Sequence, residues 1–161
     1  MKVERIIELE AELNQLKVGD KITINNAKWK VLEIKDDRIL IWKCTKVTDH
    51  VFNVSGSNVY EGSDIQKYLE KEFWKEIPAD VLGKVTEENF FLLTVDQIRK
   101  YMPEELDRIV TREYGQITWY WTATPYVGYG SYVRYIGPSG SVTYCRAIIS
   151  SGVAPACWLH L

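Results

Sequence analysis

Charge nearly disappears from this chain after Glu113. Residues 112–161 carry four charged side chains, Arg112, Glu113, Arg134 and Arg146, so this segment sums to +2 while the preceding 111 residues sum to -4. The same fifty residues hold ten of the twenty aromatic side chains: Tyr114, Trp119, Tyr120, Trp121, Tyr126, Tyr129, Tyr132, Tyr135, Tyr144 and Trp158. Glycine and serine run between them at Gly128, Gly130, Ser131, Gly137, Ser139, Gly140 and Ser141. Short strands are predicted at 117–122, 132–136, 142–148 and 156–161, with Pro138-Ser139-Gly140 as a hairpin turn. Connections this short leave no room for helical crossovers, so antiparallel pairing is expected. Strands so few and short cannot bury themselves and should pack against residues 21–110 rather than form a separate domain.

Upstream, residues 3–16 read as a helix, with Ile6, Leu9, Leu13 and Leu16 on one stripe and Gly19 at the stop. The stripe either caps the chain's own core or forms a dimer seam, and two heptads are short for a stable coiled coil. From Lys21 the period changes to two. A hairpin is predicted across 28–44, turning at Asp36-Asp37 and apolar on much of both faces, with Ile39, Ile41 and Lys43 alternating against Leu40, Trp42 and Cys44. Residues 51–54 and 90–93 read as short strands. Ser63 with Gln66, and Thr94 with Gln97, have capping-box spacing, which predicts helices over 64–74 and from Val95 to the interruption at Pro103. Residues 1–17 thus form a helical extension, and residues 18–161 a single α+β domain.

The 161 residues make one ordinary domain that would expose roughly 8,000 Å². A net charge of -2 argues against a strongly basic nucleic-acid binder. Three cysteines do not make a disulfide scaffold, and no apolar run approaches the length of a membrane span. Residues 1–20 are charged throughout, unlike a signal peptide, so a cytoplasmic protein is the expectation.

The spine of the chain runs Leu16-Lys17-Val18-Gly19-Asp20-Lys21-Ile22 and Trp29-Lys30-Val31-Leu32-Glu33, then the helix led by Ser63 with Tyr68-Leu69 and Phe73, then Phe91-Leu92-Leu93-Thr94. It closes with Trp119-Tyr120-Trp121-Thr122 and Gly152-Val153-Ala154-Pro155-Ala156-Cys157-Trp158-Leu159. Over residues 16–161 this order resembles a domain family of unknown function from gut bacteria and their phages. That family is similar to C-type lectin-like folds, including the formylglycine-enzyme-like and retroelement-diversified ligand-binding branches. The resemblance implies a mainly antiparallel twisted sheet with two short helices, long loops displaying a binding surface, and terminal strands paired with each other. Where such relatives carry an arginine after the tryptophan pair and another in the last motif, this chain has Thr122 and Ala154. Arg134 and Arg146 are the candidates to replace them.

The expected function is a non-enzymatic interaction module that recognises a partner, expected to be protein, through the loops between Thr122 and Arg134. Tyrosine beside glycine and serine gives contact area at low entropy cost with a polar handle. The candidate surface is Thr122, Tyr126, Tyr129, Tyr132, Arg134 and Arg146; Trp119, Trp121 and Trp158 are expected inside. A thiol enzyme using Cys145 or Cys157 is one alternative. A structural or oligomer-forming protein built on Ile6, Leu9, Leu13 and Leu16 is another. His50 and His160 stand far apart, with no CxxC or HExxH, so no metal or other cofactor is expected. Pro125 and Pro138 lack neighbouring carboxylates or amides, which argues against calcium-dependent sugar binding. Two arginines among the aromatics are a poor footprint for single-stranded nucleic acid.

Overall fold

The structure, a computed structural model, describes the backbone of residues 3–161 and the side chains of residues 8–161. Its accessible surface is 8617 Å². The fold is mixed α+β. Helix α1 (Val3–Asn14) leads into strands β1 (Lys21–Ile24), β2 (Ala27–Lys35), β3 (Arg38–Lys43) and β4 (Thr48–Val51). Helices α2 (Asp64–Lys71), α3 (Ala79–Leu82) and α4 (Val95–Tyr101) follow, with 3-10 turns at Phe73–Glu76 and Glu105–Arg108. The remainder is strand: β5 (Val110–Thr111), β6 (Ile117–Thr118), β7 (Tyr120–Pro125), β8 (Tyr132–Ile136), β9 (Val142–Arg146), β10 (Ser150–Val153) and β11 (Ala156–His160).

The low-charge segment is woven through the body. One sheet has the order β1-β2-β3-β11 and a second β4-β10-β7-β8-β9, with β5-β6 a small ribbon. Thus β11 pairs with β3, and β10 with β4, each antiparallel. Strand β10 lies outside the strands expected from the sequence, and its contact with β7 is parallel, at Gly152 opposite Tyr120. Three expectations need correction. The first and last strands share a sheet but lie on opposite sides of the β2–β3 hairpin, so they do not pair with each other. The strand expected at 90–93 contracts to a bridge between Phe91 and Ala156, and the one at 51–54 begins earlier, at Thr48.

The two-faced hairpin has a physical outcome: the first sheet is buried on both sides. Trp29, Val31, Ile39 and Ile41 face a core shared with Phe52, Leu69, Phe73, Phe90 and Trp121. Leu32, Leu40 and Trp42 face a second core with Ile98, Met102, Tyr120 and Ile136. A bulge between Val31 and Glu33 resets the β2 register midway. Helix starts follow the chain's local chemistry. Thr94 and Gln97 form a full capping box, whereas Gln66 reaches past Ser63 to the Gly62 N–H, although the Ser63 hydroxyl still caps Gln66.

The N-terminal stripe is largely consumed by the chain itself. Leu9 and Leu13 are buried in the first core, and Leu16 packs against it. Those two leucines therefore offer no open dimer seam; the side chain of Ile6 lies outside the described residues. Among the described residues no helix is long and apolar enough to cross a membrane.

Candidate recognition surface

The tyrosine repeat resolves into two populations because only part of it is strand. Tyr126 and Tyr129 lie on the loop after β7, Tyr132 opens β8, and Tyr135 points to the opposite face of β8 from Tyr132. Across the β8–β9 pair Tyr132 stands opposite Arg146 and Arg134 opposite Tyr144. Aromatic and cationic side chains therefore alternate on one sheet face.

Loop tyrosines lie over this checkerboard. The Tyr126 ring stacks on Tyr144 with centroids 4.3 Å apart, and on Tyr129 at 5.4 Å. Tyr132 meets Tyr129 and Tyr144 edge-on at 5.8 and 5.7 Å. The Arg134 guanidinium sits 4.7 Å from the Tyr126 ring centre. The Arg146 guanidinium is pushed above its ordinary range by its hydrogen bond to Tyr132. Tyr126, Tyr129, Tyr132 and Tyr144 line a shallow cavity of about 170 Å³. Tyr129 and Tyr144 are 58% and 48% exposed, enough area to meet a partner.

Backbone bonds hold the loop. The Tyr126 N–H donates to the Tyr132 carbonyl at 2.9 Å, and Gly128 takes a φ of +90° that favours glycine. Asn58, from the segment before α2, is the anchor. Its N–H donates to the Gly130 carbonyl, and its Nδ2 donates to the carbonyls of Tyr129 and Tyr132 at 2.9 and 3.1 Å. A rigid loop lowers the entropy lost on binding.

Thr122 does not belong to this surface. It is fully buried; its Oγ1 donates to the Arg134 carbonyl at 2.8 Å and accepts from the Thr124 N–H. It ties β7 to the backbone of β8 at Arg134. The tryptophans also divide. Trp121 is buried and donates from Nε1 to the His50 carbonyl at 3.0 Å, and Trp158 is partly buried under the Arg38 guanidinium. Trp119, expected inside, is 41% exposed and packs edge-on against Tyr135.

The three cysteines are free, Cys44 and Cys157 buried and Cys145 partly so. Burial pushes Cys157, Cys145 and Cys44 all above the ordinary cysteine range, so little thiolate forms near neutrality. Cys157 is buried on β11 while His160 is exposed, so they do not form a nucleophile–base pair. Among the described residues no cluster of three or more His, Cys, Asp or Glu could hold a metal ion.

Two surface residues escaped the sequence reading. Tyr144 was legible only as an aromatic; its place opposite Arg134 depends on the β8–β9 register. Asn58 sits in a polar Ser-Gly-Ser-Asn run that signals a loop and nothing about the distant segment it binds. Comparison of the chain with family models, with curated proteins and with solved structures found no match.

Proposed function

We propose that this chain is a non-enzymatic recognition module that binds a protein partner through Tyr126, Tyr129, Tyr132 and Tyr144 with Arg134 and Arg146. The observation that carries the reading is the four-tyrosine cluster: Tyr132 and Tyr144 alternate with two arginines on one sheet face, and Tyr126 and Tyr129 lie over them on a loop fastened by Asn58. Tyrosine and arginine are the side chains that concentrate binding energy at interfaces, and glycine and serine between them let a partner approach closely. With no carboxylate in the segment after Glu113, the surface suits a partner segment that brings acidic groups to the arginines. The scaffold is proposed to be C-type lectin-like, on the strength of the motif order along the chain, and its source bacterial or phage-borne, with the partner in the same cytoplasm.

The test is capture of the partner from a bacterial lysate, followed by affinity measurements with the purified pair. Tyr129→Ser and Tyr144→Ser should each weaken binding about 10-fold or more while leaving the thermal midpoint nearly unchanged. A partner that binds both variants as it binds the parent chain removes the reading.

A further inference from the structure

A second site lies away from the tyrosine face, at the end of the β2–β3 hairpin. Lys43 is directly opposite Trp29 in the register, so its side chain leaves the sheet on the apolar face that also carries Ile39 and Ile41. The residue is only 6% exposed. Among the described residues its ammonium makes no hydrogen bond and no ion pair; it lies over the Phe73 ring, 5.4 Å from the ring centre. The stem of Lys43 is therefore enclosed while its ammonium, lying over an aromatic ring, has hydrogen-bonding capacity to spare.

Lys43 lines a half-open cavity of about 210 Å³. Trp29 and Phe73 form its apolar wall; Lys46, Glu76 and Glu113 are its other charged lining residues. The cavity is braced by Asn25, whose Nδ2 donates to the Glu76 carbonyl at 2.9 Å and so ties the β1–β2 turn to the 3-10 turn carrying Phe73. Burial pushes the Lys43 ammonium below the ordinary lysine range, with Glu76 opposing that shift and Lys46 adding to it.

We infer that this cavity binds a small monocarboxylate, with the carboxylate on the Lys43 ammonium and its apolar body against Trp29 and Phe73. The volume limits the ligand to metabolite size. Of the two lysines only Lys43 sits over the aromatic wall, which calls for one anionic group there, and the Glu76 and Glu113 carboxylates disfavour a second. Glu76, whose exposed side chain supplies the attraction felt by Lys43, acts as an internal competitor for the same ammonium.

The test titrates the intact chain with acetate and with benzoate, using benzamide as the uncharged match, and follows the Trp29 indole and Lys43 side-chain resonances by NMR. At least one carboxylate should shift both resonances and saturate, with benzamide about 10-fold weaker or more. Lys43→Met should abolish the preference for carboxylate over amide, and Glu76→Gln should tighten carboxylate binding. The thermal midpoint of each variant verifies its fold; should Lys43→Met not fold, Glu76→Gln and the benzamide comparison still decide. The inference is overturned if neither carboxylate shifts these resonances in the parent chain or in Glu76→Gln, or if benzamide binds as well as benzoate.

Discussion

The Arg108 guanidinium donates through Nη1 to the carbonyl of Gly140, 3.1 Å away, and so fixes the 3-10 turn before β5 to the hairpin turn between β8 and β9. Arg108 is buried and its other bonds also go to carbonyls, from Nε to Met102 at 2.7 Å and from Nη2 to Pro103 at 3.1 Å. Its own carbonyl accepts from the Tyr120 hydroxyl at 2.6 Å. Arg108→Met strands these acceptors and should cost about 2–4 kcal/mol. Gly140 has a φ of +88°, and a Cβ there would sit 2.0 Å from the Glu105 carbonyl oxygen. Gly140→Ala should therefore cost about 3 kcal/mol, lowering the thermal midpoint by about 6–12 °C. Denaturant and thermal unfolding measure both; a midpoint unmoved by either substitution contradicts the packing described.

Gly152 sits where β10 meets β7, and a Cβ on it would approach the Trp119 carbonyl oxygen to 2.4 Å. Gly152→Ala must push the two strands apart. We expect a loss of about 2 kcal/mol and, in hydrogen exchange, faster exchange of the Gly152 N–H, which donates to that same carbonyl at 3.2 Å. Unchanged protection at Gly152 would show that the strands are not in close register.

Tyr60 is mostly buried with its hydroxyl accepting from the Leu92 N–H at 3.2 Å, and burial pushes its phenol up to about 12. A folded-state value above the ordinary 10.0 means that its contribution to stability is whole below about pH 10 and is lost as pH climbs toward 12. Tyr60→Phe should cost about 1 kcal/mol at neutral pH and make unfolding less steeply dependent on pH in that alkaline window. Equal slopes for the two proteins would mean that Tyr60 is ionised as freely folded as unfolded.

Lys43 has the opposite sign. Its folded value lies below the ordinary 10.5, so the penalty for burying the ammonium is fully present below the folded value and shrinks as pH rises to the unfolded one. Lys43→Met should raise stability at neutral pH by about 1 kcal/mol, and the gain over the parent chain should fade as pH approaches 10.5. Paired denaturation curves across that range read the difference directly; a gain independent of pH would assign it to packing rather than charge.

The three free cysteines should stay silent toward a disulfide exchange reagent in the native state near neutral pH, with Cys157 the last to react on adding denaturant. Immediate modification of Cys145 or Cys157 in the folded protein would bring back the thiol-enzyme alternative.

What the sequence exposed and what it hid follow from the range of the interactions involved. Thr94 with Gln97, and the Asp36-Asp37 turn, act within a few residues, so their outcome was readable on the spot. β10 was missed because Ser150-Ser151-Gly152-Val153 has the local character of a loop and becomes a buried strand only through β4 and β7. Trp119 misled because its neighbours Tyr120 and Trp121 are enclosed while a break between β6 and β7 turns it outward. Lys43 carried a usable signal, a charge in phase with Ile39 and Ile41, but its consequence needed the Phe73 turn to close over it. Thr122 looked like a surface position only by analogy with an arginine that this chain lacks.

The seating of β11 against β3 has a consequence for how the chain comes into being. The outer edge of Arg38–Lys43 finds its mate only when Ala156–His160 arrives, on the order of a hundred residues later. Until then a nascent or truncated chain presents that apolar edge to any extended neighbour, and a second molecule's strand can dock in place of its own.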